Sequence, residues 1–413
     1  MTAEPRVSRA TARIFSLLRP GRQKLPRDIK VMLAAAFLIA LGFGLVAPVL
    51  PQFATTFGVG NTEASVIVAI FAFMRLVFAP AGGALIGRIG ERPVYVMGLL
   101  IVAASTAACA FAQDYWQLLL FRGLGGAGSV MFTVASMALV VRLAPPESRG
   151  RVSGAYASAF LIGNVCGPIV GGLLAGFGLR VPFLAYAAAL VMAAVVVQTQ
   201  LSHQRRGGGD GQDRAPDMPL GEALAMGTYR TAVLSSFVNG WATFGVRMAT
   251  VPLFAVAALG AGPEAAGFAL AVFAAGNAAA LTFSGRLADT LGRKPMMIAG
   301  LIVAGAATAA IGFTSGLGWF LAASALAGAG SGLFGPAQQA AVADVIGNGR
   351  SGGKVLAVYQ MTSDVGAIVG PVLAGVLADR LGYGWAFGVT GGIMLVAAVA
   401  WAATRETLRT ARP

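Results

Sequence analysis

Residues 83–93 read GALIGRIGERP and residues 285–295 read GRLADTLGRKP, so one short pattern occurs twice, 202 residues apart. Two other stretches repeat at nearly the same offset: GAGS at 126–129 returns at 328–331, and GNVCGPIVGG at 163–172 returns as GAIVGPVLAG at 366–375. Self-similarity at a fixed offset indicates a duplicated architecture. The sequence therefore predicts two halves with the same fold in the same orientation.

The composition identifies the medium of this fold. The chain has 413 residues, of which 57% are hydrophobic and 11% are charged, and its mean hydropathy is +0.77. Such values are too apolar for an ordinary soluble domain and indicate a membrane protein. Long continuous apolar runs, without alternation of period two, disfavour a β-barrel. The runs predict twelve transmembrane helices, at about 31–54, 64–86, 94–112, 116–141, 152–177, 181–201, 231–257, 265–285, 295–313, 317–343, 355–377 and 384–404.

The basic residues predict the topology. If the N-terminus is cytoplasmic, twenty-five of the thirty Lys and Arg residues fall in cytoplasmic segments, and only Arg180 and Arg380 fall in external loops. This asymmetry follows the positive-inside rule, so we expect a multi-pass cell-membrane protein with both termini in the cytoplasm. Eight basic residues lie in residues 1–30, where a topology signal touching anionic lipid is favoured over a regulatory or nucleic-acid role.

The same pattern predicts five segments and few chemical groups outside the helices. We expect a basic cytoplasmic segment (1–30), a six-helix bundle (31–201), a flexible cytoplasmic linker (202–230), a second six-helix bundle (231–404) and a cytoplasmic tail (405–413). Cys109 and Cys166 both lie in predicted spans and His203 lies in the linker, so we expect no disulfide, metal site or cofactor. A parallel duplication of membrane helices is typical of transporters whose two bundles rock about a central site.

Gly163, Gly167 and Gly171 recur every four residues in the fifth predicted span. This spacing places them on one helix face, where a neighbouring backbone can approach closely. Pro168 lies among them and removes one helical hydrogen bond, so we expect a bent helix. Gly370 and Pro371 repeat this arrangement in the eleventh span. The bland interpretation is tight helix packing, which we accept for most of these glycines.

At these residues the chain resembles the major facilitator superfamily, and within it the twelve-helix drug:proton antiporters. LGFGLVAPVLP (41–51) resembles the first-helix motif, RGLGGAG (122–128) the fourth-helix Arg motif, and GNVCGPIVGG the fifth-helix antiporter motif. GALIGRIGER and GRLADTLGRK resemble the loop motif, which here comprises Gly83, Gly87, Arg88, Gly90, Gly285, Asp289, Gly292 and Arg293. The resemblance covers about residues 31–404 and implies an all-α fold of two six-helix bundles.

Two departures from the family pattern concern its conformational switch. The loop motif normally has Asp at its fifth position; Asp289 keeps it, whereas the first copy has Gly87. The resemblance implies that this Asp bonds to a helix N-terminus of the opposite bundle in the outward-open state. Asp289 could therefore face the start of the fifth helix near Gly150, where a helix dipole favours an anion. In the fourth-helix motif, Gly125 stands where Gln is common.

Four charged residues are present in one half and absent from the other. Arg122 corresponds to Ser324, Arg75 to Asn277, Arg247 to Leu45, and Asp364 to Leu161. An Arg near the bilayer centre costs about 3 kcal/mol, so each needs a partner or a wet cavity. We expect Asp364 and Arg122 to couple protonation to transport, although Asp364 could equally pair permanently with an Arg. The substrate cavity is predicted to include Arg75, Arg247, Asn239, Trp241, Phe244, Asn277 and Gln360.

The sequence favours a secondary transporter that exports small amphiphilic compounds in exchange for protons, with no enzyme activity. Its expected partners are the compound, protons and lipid, with no nucleic acid, and we expect a monomer. No nucleotide-binding motif is placed correctly. Family members that export cationic drugs often have a carboxylate deep in helices one, four, seven or ten; its absence here favours neutral or anionic substrates. The alternatives are uptake of a sugar or organic anion by symport or facilitation, and a non-transporting receptor or scaffold.

Overall fold

The computed structural model describes residues 26–143, 149–201, 218–347, 350 and 352–406. Within these ranges twelve helices are long and apolar enough to cross a membrane. They are α1 (Arg27–Val46, continued by Leu50–Thr55), α2 (Asn61–Ile89), α3 (Glu91–Ala110), α4 (Tyr115–Leu143), α5 (Arg149–Ala175), α6 (Val181–Gln200), α7 (Gly227–Ala257), α8 (Pro263–Thr290), α9 (Arg293–Ile311), α10 (Leu317–Ile346), α11 (Gly353–Leu381) and α12 (Tyr383–Ala402).

Glycines with left-handed backbone separate successive helices where the chain turns tightly. Gly90 lies between α2 and α3 at φ 90°, and Gly292 lies between α8 and α9 at φ 112°. Gly382 has φ 89° between α11 and α12. Because a side chain at these angles is strained, the glycines of the repeated loop motif are required by the turn itself.

The helix α7 changes its winding in the middle. It is α-helical over Gly227–Asn239, π-helical over Gly240–Val246, and α-helical again over Arg247–Ala257. Gly240 at this change contacts the Ser363 carbonyl of α11, so the wider turn coincides with a very close helix contact. The π-helical insertion rotates the residues that follow it, including Arg247, relative to a continuous α-helix.

Close helix contacts hold each bundle together. In the first bundle α5 packs on α1: a Cβ at Gly163 would lie 2.7 Å from the Phe37 carbonyl, and one at Gly167 would lie 2.5 Å from the Leu41 carbonyl. In the second bundle, Gly366 and Gly370 of α11 contact Phe237 and Trp241 of α7 in the same manner. The repeated glycine face therefore serves repeated helix packing in both halves.

The predicted flexible linker is only partly described. Residues 202–217, like 1–25 and 407–413 at the two ends, lie outside the described residues. The remainder forms a short helix, Leu220–Ala225, which precedes α7. Ala223 and Tyr229 are fully buried, and Glu222 pairs with Arg350 at 2.7 Å. Apolar burial therefore orders this end of the linker.

The two bundles contact each other mainly through α2 with α11 and α5 with α8. We call the membrane side that holds residues 27 and 402 the termini face and the other side the opposite face. Near the opposite face, Gly172 of α5 packs on Gly267 of α8, and Gly375 of α11 packs on Thr62 of α2. At the termini face, Gly87 and Gly285 have no neighbour within 4 Å of an added Cβ. The bundles are therefore joined at the opposite face.

A carboxylate fastens this closed face. Asp379, at the end of α11, accepts hydrogen bonds from the backbone N–H groups of Asn61 (3.0 Å) and Thr62 (2.8 Å) at the start of α2. It also accepts bonds from Asn61 Nδ2 (2.8 Å) and Thr62 Oγ1 (2.5 Å), and Tyr383 Oη donates to Asn61 Oδ1 (2.7 Å). A helix N-terminus offers free N–H groups and a positive dipole end, so an anion is the fitting partner.

Substitution of a packing glycine tests the helix crossing. Gly167→Ala should destabilise the protein by about 1–3 kcal/mol, because its methyl group would overlap the α1 backbone. We expect a lower melting temperature of the purified protein in detergent. Gly388→Ala in α12 is the matched control, since nothing lies within 4 Å of its Cβ position and Ala favours a helix over Gly. Equal melting temperatures for the two variants would contradict the crossing.

Neutralising Asp379 tests the closed face. Ser65 is fully buried under Gly375, so a Cys at this position should react slowly with a thiol reagent added at the opposite face. Asp379→Asn should raise that rate about tenfold, which corresponds to about 1.4 kcal/mol of lost latch stability. The measurement needs Cys109 and Cys166 replaced by Ala. Asp289→Asn, the control, should not accelerate labelling; unchanged labelling in Asp379→Asn would disprove the latch.

Candidate functional site

Two of the four charges that break the repeat symmetry, Arg75 and Asp364, lie on the helices that meet at the boundary between the bundles. Arg75 lies midway along α2 and Asp364 lies midway along α11, and the two are close enough for a charge–charge interaction. Arg75 Nη1 also donates to Ser129 Oγ of α4 at 2.8 Å. Opposite charges thus face each other across the helix pair that joins the bundles.

Arg122 lies inside the first bundle. It is 7% exposed, its guanidinium carbon lies 4.0 Å from the centre of the Phe71 ring, and its Nε has no hydrogen-bond partner. A guanidinium over an aromatic face gains an electrostatic attraction that increases as water is excluded. The geometry places Arg122 between α2 and α4, apart from the Arg75 and Asp364 pair.

Arg247 occupies a similar setting in the second bundle. It is 3% exposed, and its guanidinium carbon lies 3.6 Å from the centre of the Phe273 ring on α8. Its Nε and Nη1 atoms are buried without a hydrogen-bond partner. The phenylalanine partners of both arginines are a feature that the sequence interpretation missed, although Phe71 and Phe273 lie 202 residues apart and are therefore equivalent in the repeat.

The other residues predicted for a cavity separate into different environments. Trp241 is 5% exposed, donates through Nε1 to Thr390 Oγ1 at 3.1 Å, and packs on Gly370, so its indole belongs to the contact of α7 with α11 and α12. Phe244 is 52% exposed, and Asn239 Oδ1 accepts a bond from Thr243 at 3.0 Å.

The two remaining cavity candidates lie on the helices that border the bundle interface. Asn277 is half-buried on α8, and its carbonyl packs against Gly332 of α10. Gln360 is exposed on α11, one turn before Asp364.

The second loop motif forms an ionic cluster at the termini face. Arg293 pairs with Asp289 at 3.1 Å and with Asp344 of α10 at 3.1 Å, and it donates to the Ala288 carbonyl at 2.9 Å. The Asp289 side chain is 70% exposed and bonds to Arg293 at the start of the following helix, α9. In the first copy, Arg88 lies in the last turn of α2, and Gly87 takes the place of the carboxylate.

Asp379 is the inter-bundle contact that sequence reasoning missed. Residues 375–382 read GVLADRLG, which matches GRLADTLG of the second loop motif at six of eight positions. The match could have been found, but its offset of 90 residues differs from the 202 of the duplication. The pattern ends in the left-handed Gly382, as the other copies end in Gly90 and Gly292.

No group of three metal-binding side chains occurs in the part of the chain that the structure describes. Cys109 and Cys166 are both free thiols. The described site therefore consists of guanidinium, carboxylate, amide and aromatic groups, whose chemistry is binding and charge neutralisation.

Two groups of curated proteins resemble part of this chain. The quinolone resistance protein NorA of Staphylococcus aureus is 29% identical over 177 residues, which are 43% of this chain and 45% of NorA. The multidrug resistance protein 2 of Bacillus subtilis is 29% identical over 180 residues, with the same shares. The matched region thus covers less than half the length of these relatives.

Solved structures share the fold over nearly the whole length. A bacterial homologue of the human lysosomal transporter Spinster has a TM-score of 0.74 at 18% identity and covers 91% of this chain and 95% of its own. A D-xylose–proton symporter has a TM-score of 0.73 at 16% identity, with coverage of 92% and 99%. These similarities confirm the predicted twelve-helix fold.

The family comparison covers both halves. The model for the major facilitator superfamily matches residues 32–214 and 232–413, which repeats the duplication seen in the sequence. Together with the twelve spanning helices, this confirms a multi-pass membrane protein. The chain belongs to the major facilitator superfamily, a family of membrane transporters and not of enzymes.

Proposed function

We propose that this protein exports small amphiphilic compounds in exchange for protons across the cell membrane, with both termini in the cytoplasm. The observation that carries the proposal is the facing of Arg75 and Asp364 across the contact between α2 and α11. The names of the relatives, a quinolone resistance protein and a multidrug resistance protein, support the substrate class.

Antiport requires that the empty carrier stays in place while the loaded carriers switch. In the empty carrier, the ionised Asp364 attracts Arg75 and helps hold α2 to α11 near the middle of the membrane. A proton removes the charge of Asp364 and so weakens this contact. A compound that binds between the bundles weakens it by competing for the same groups, so proton and compound each release the carrier separately.

Arg122 contributes to this cycle through the first bundle. Its guanidinium stacks on Phe71 of α2, the helix that carries Arg75. A shift of α2 relative to α4 would therefore change the surroundings of both arginines together. We assign Arg122 a positioning role for α2 and Asp364 the proton-binding role.

Proton movement in energised inverted vesicles tests the exchange. Adding a transported compound should release part of the proton gradient in vesicles with native protein. Asp364→Asn should abolish this release, because its amide takes up no proton. Asp114→Asn is the matched control, since Asp114 caps the start of α4 at an exposed position.

The panel should contain cationic, neutral and anionic amphiphiles. Release that is equal in native protein and Asp364→Asn would remove Asp364 from the mechanism. A second outcome would identify an importer. In that case no compound releases the gradient in vesicles, and collapsing the gradient in cells lowers the accumulation of the compound. The proposal then fails.

A double-substitution experiment tests whether Arg75 and Asp364 act as a pair. Arg75→Gln and Asp364→Asn should each reduce the exchange rate at least tenfold, and the double variant should be no slower than the worse single variant. Arg75→Gln combined with Asp114→Asn should instead show independent effects. Losses from Arg75→Gln and Asp364→Asn that multiply would contradict direct coupling.

A further inference from the structure

Arg247 is a buried cation that forms no ion pair with any residue that the structure describes. It is 3% exposed. Its Nε and Nη1 atoms are buried and have no hydrogen-bond partner. The Phe273 ring offsets only part of the lost hydration, because an aromatic face accepts no conventional hydrogen bond. An acceptor group is therefore needed beside this guanidinium.

The repeat indicates that the position of the charge is not an accident of helix packing. Phe71 and Phe273 are equivalent, and each has a guanidinium over its ring. In the first bundle α4 supplies it as Arg122, whereas in the second bundle α7 supplies it as Arg247. At the equivalent of Arg122, α10 has Ser324, so the guanidinium over Phe273 comes from α7 instead.

Two buried hydroxyl groups lie on α7 and α10, the helices that contact Phe273 through Arg247 and Gly328. Thr250 lies one turn after Arg247 on the same face of α7, and its Oγ1 is buried without a partner. Ser324 Oγ is also buried without a partner, and Gly328, one turn further along α10, contacts the Phe273 carbonyl. Guanidinium nitrogens and hydroxyls can all donate to one acceptor, so together they match an anion.

The half of α7 that carries Arg247 reaches the boundary between the bundles. The half of α7 that begins at Arg247 packs against the end of α1 and against α2 of the first bundle. Ala47 of α1 lies in the same apolar cluster as Val246 and Val251, the neighbours of Arg247. The segment that carries Arg247 therefore borders the space between the bundles, where a transported compound would bind.

We propose that Arg247, together with Thr250 and Ser324, binds the anionic group of the transported compound. The inference rests on the proposed export function and specifies its substrate class: amphiphiles that carry one negative charge, such as a carboxylate or sulfonate. The distribution of carboxylates agrees with an anionic substrate. Helices α4 and α7 contain no carboxylate, and the carboxylates of α1 and α10, Asp28 and Asp344, lie in the end turns.

Matched ligand pairs test this assignment on the purified full-length protein. Naphthalene-2-sulfonate and its neutral methyl sulfone form one pair, and two other aromatic scaffolds should supply further pairs of an acid and its neutral analogue. The native protein should bind the acid of at least one pair ten times more tightly, measured by calorimetry. Arg247→Gln should lose this preference and retain binding of the neutral analogue.

Arg180→Gln is the charge-matched control, because Arg180 is exposed between α5 and α6. It should keep the full preference for the acid. Equal affinities of the native protein for acid and neutral analogue on all three scaffolds would overturn the proposal. A preference that persists in Arg247→Gln would also overturn it.

Two further measurements cover an unstable variant and a resident ion. If Arg247→Gln does not fold, Thr250→Val and Ser324→Ala should each weaken acid binding severalfold while binding of the neutral analogue stays unchanged; unchanged acid binding in both would overturn the assignment. If chloride stabilises the native protein in sulfate buffer and acid and neutral compound bind equally, the site holds an inorganic ion and the assignment fails. These binding results are independent of the vesicle experiment, in which failure of export itself would appear.

Discussion

The expense of placing charge inside a membrane governs this structure. Hydrocarbon offers no hydrogen bonds, so each ionised group must find partners within the protein. Asp364 faces Arg75, Arg122 and Arg247 each lie on a phenylalanine, and Asp379 takes the N-terminus of α2. Arg75 bonds to α4 of its own bundle, and Asp379 of α11 bonds to α2 of the other bundle. A change of charge at either residue therefore also changes helix packing.

Close helix packing at glycine residues makes each bundle compact, so that the charged contacts can act between the bundles. The close crossing of α5 with α1 and of α11 with α7 makes each bundle compact. The hydrogen bonds of Asp379 then connect two compact bundles. Because packed helices have discrete arrangements, loss of a few hydrogen bonds at one face favours a different packing of the two bundles.

The sequence predicted where the helices lie along the chain, but not which face of each helix is buried. Long apolar runs and repeated loop motifs predicted twelve spans, and α7 and α11 begin only a few residues before the predicted edges. The burial of Trp241 was not predictable, because a helix that is apolar on all sides has no periodic pattern to mark its inner face. The π-helical turn before Arg247 adds a further rotation that residue spacing does not reveal. Asp379 was missed for a different reason. Its motif repeats the α8 motif within the second half, 90 residues away, whereas the duplication has an offset of 202 residues.

The two complete copies of the loop pattern suggest how the opposite ends alternate. GRLADTLG ends α8 at the termini face, and GVLADRLG ends α11 at the opposite face. In this structure the carboxylate of the second, Asp379, caps α2, while that of the first, Asp289, bonds to Arg293 of its own loop. If Asp289 caps α5 when the termini face closes, as the family resemblance implies, then each face has one carboxylate that caps a helix of the other bundle only when that face is shut. Closing one face would then regain the hydrogen bonds lost at the other, and the small remaining difference between the states is what a proton at Asp364 or a compound between the bundles needs to supply.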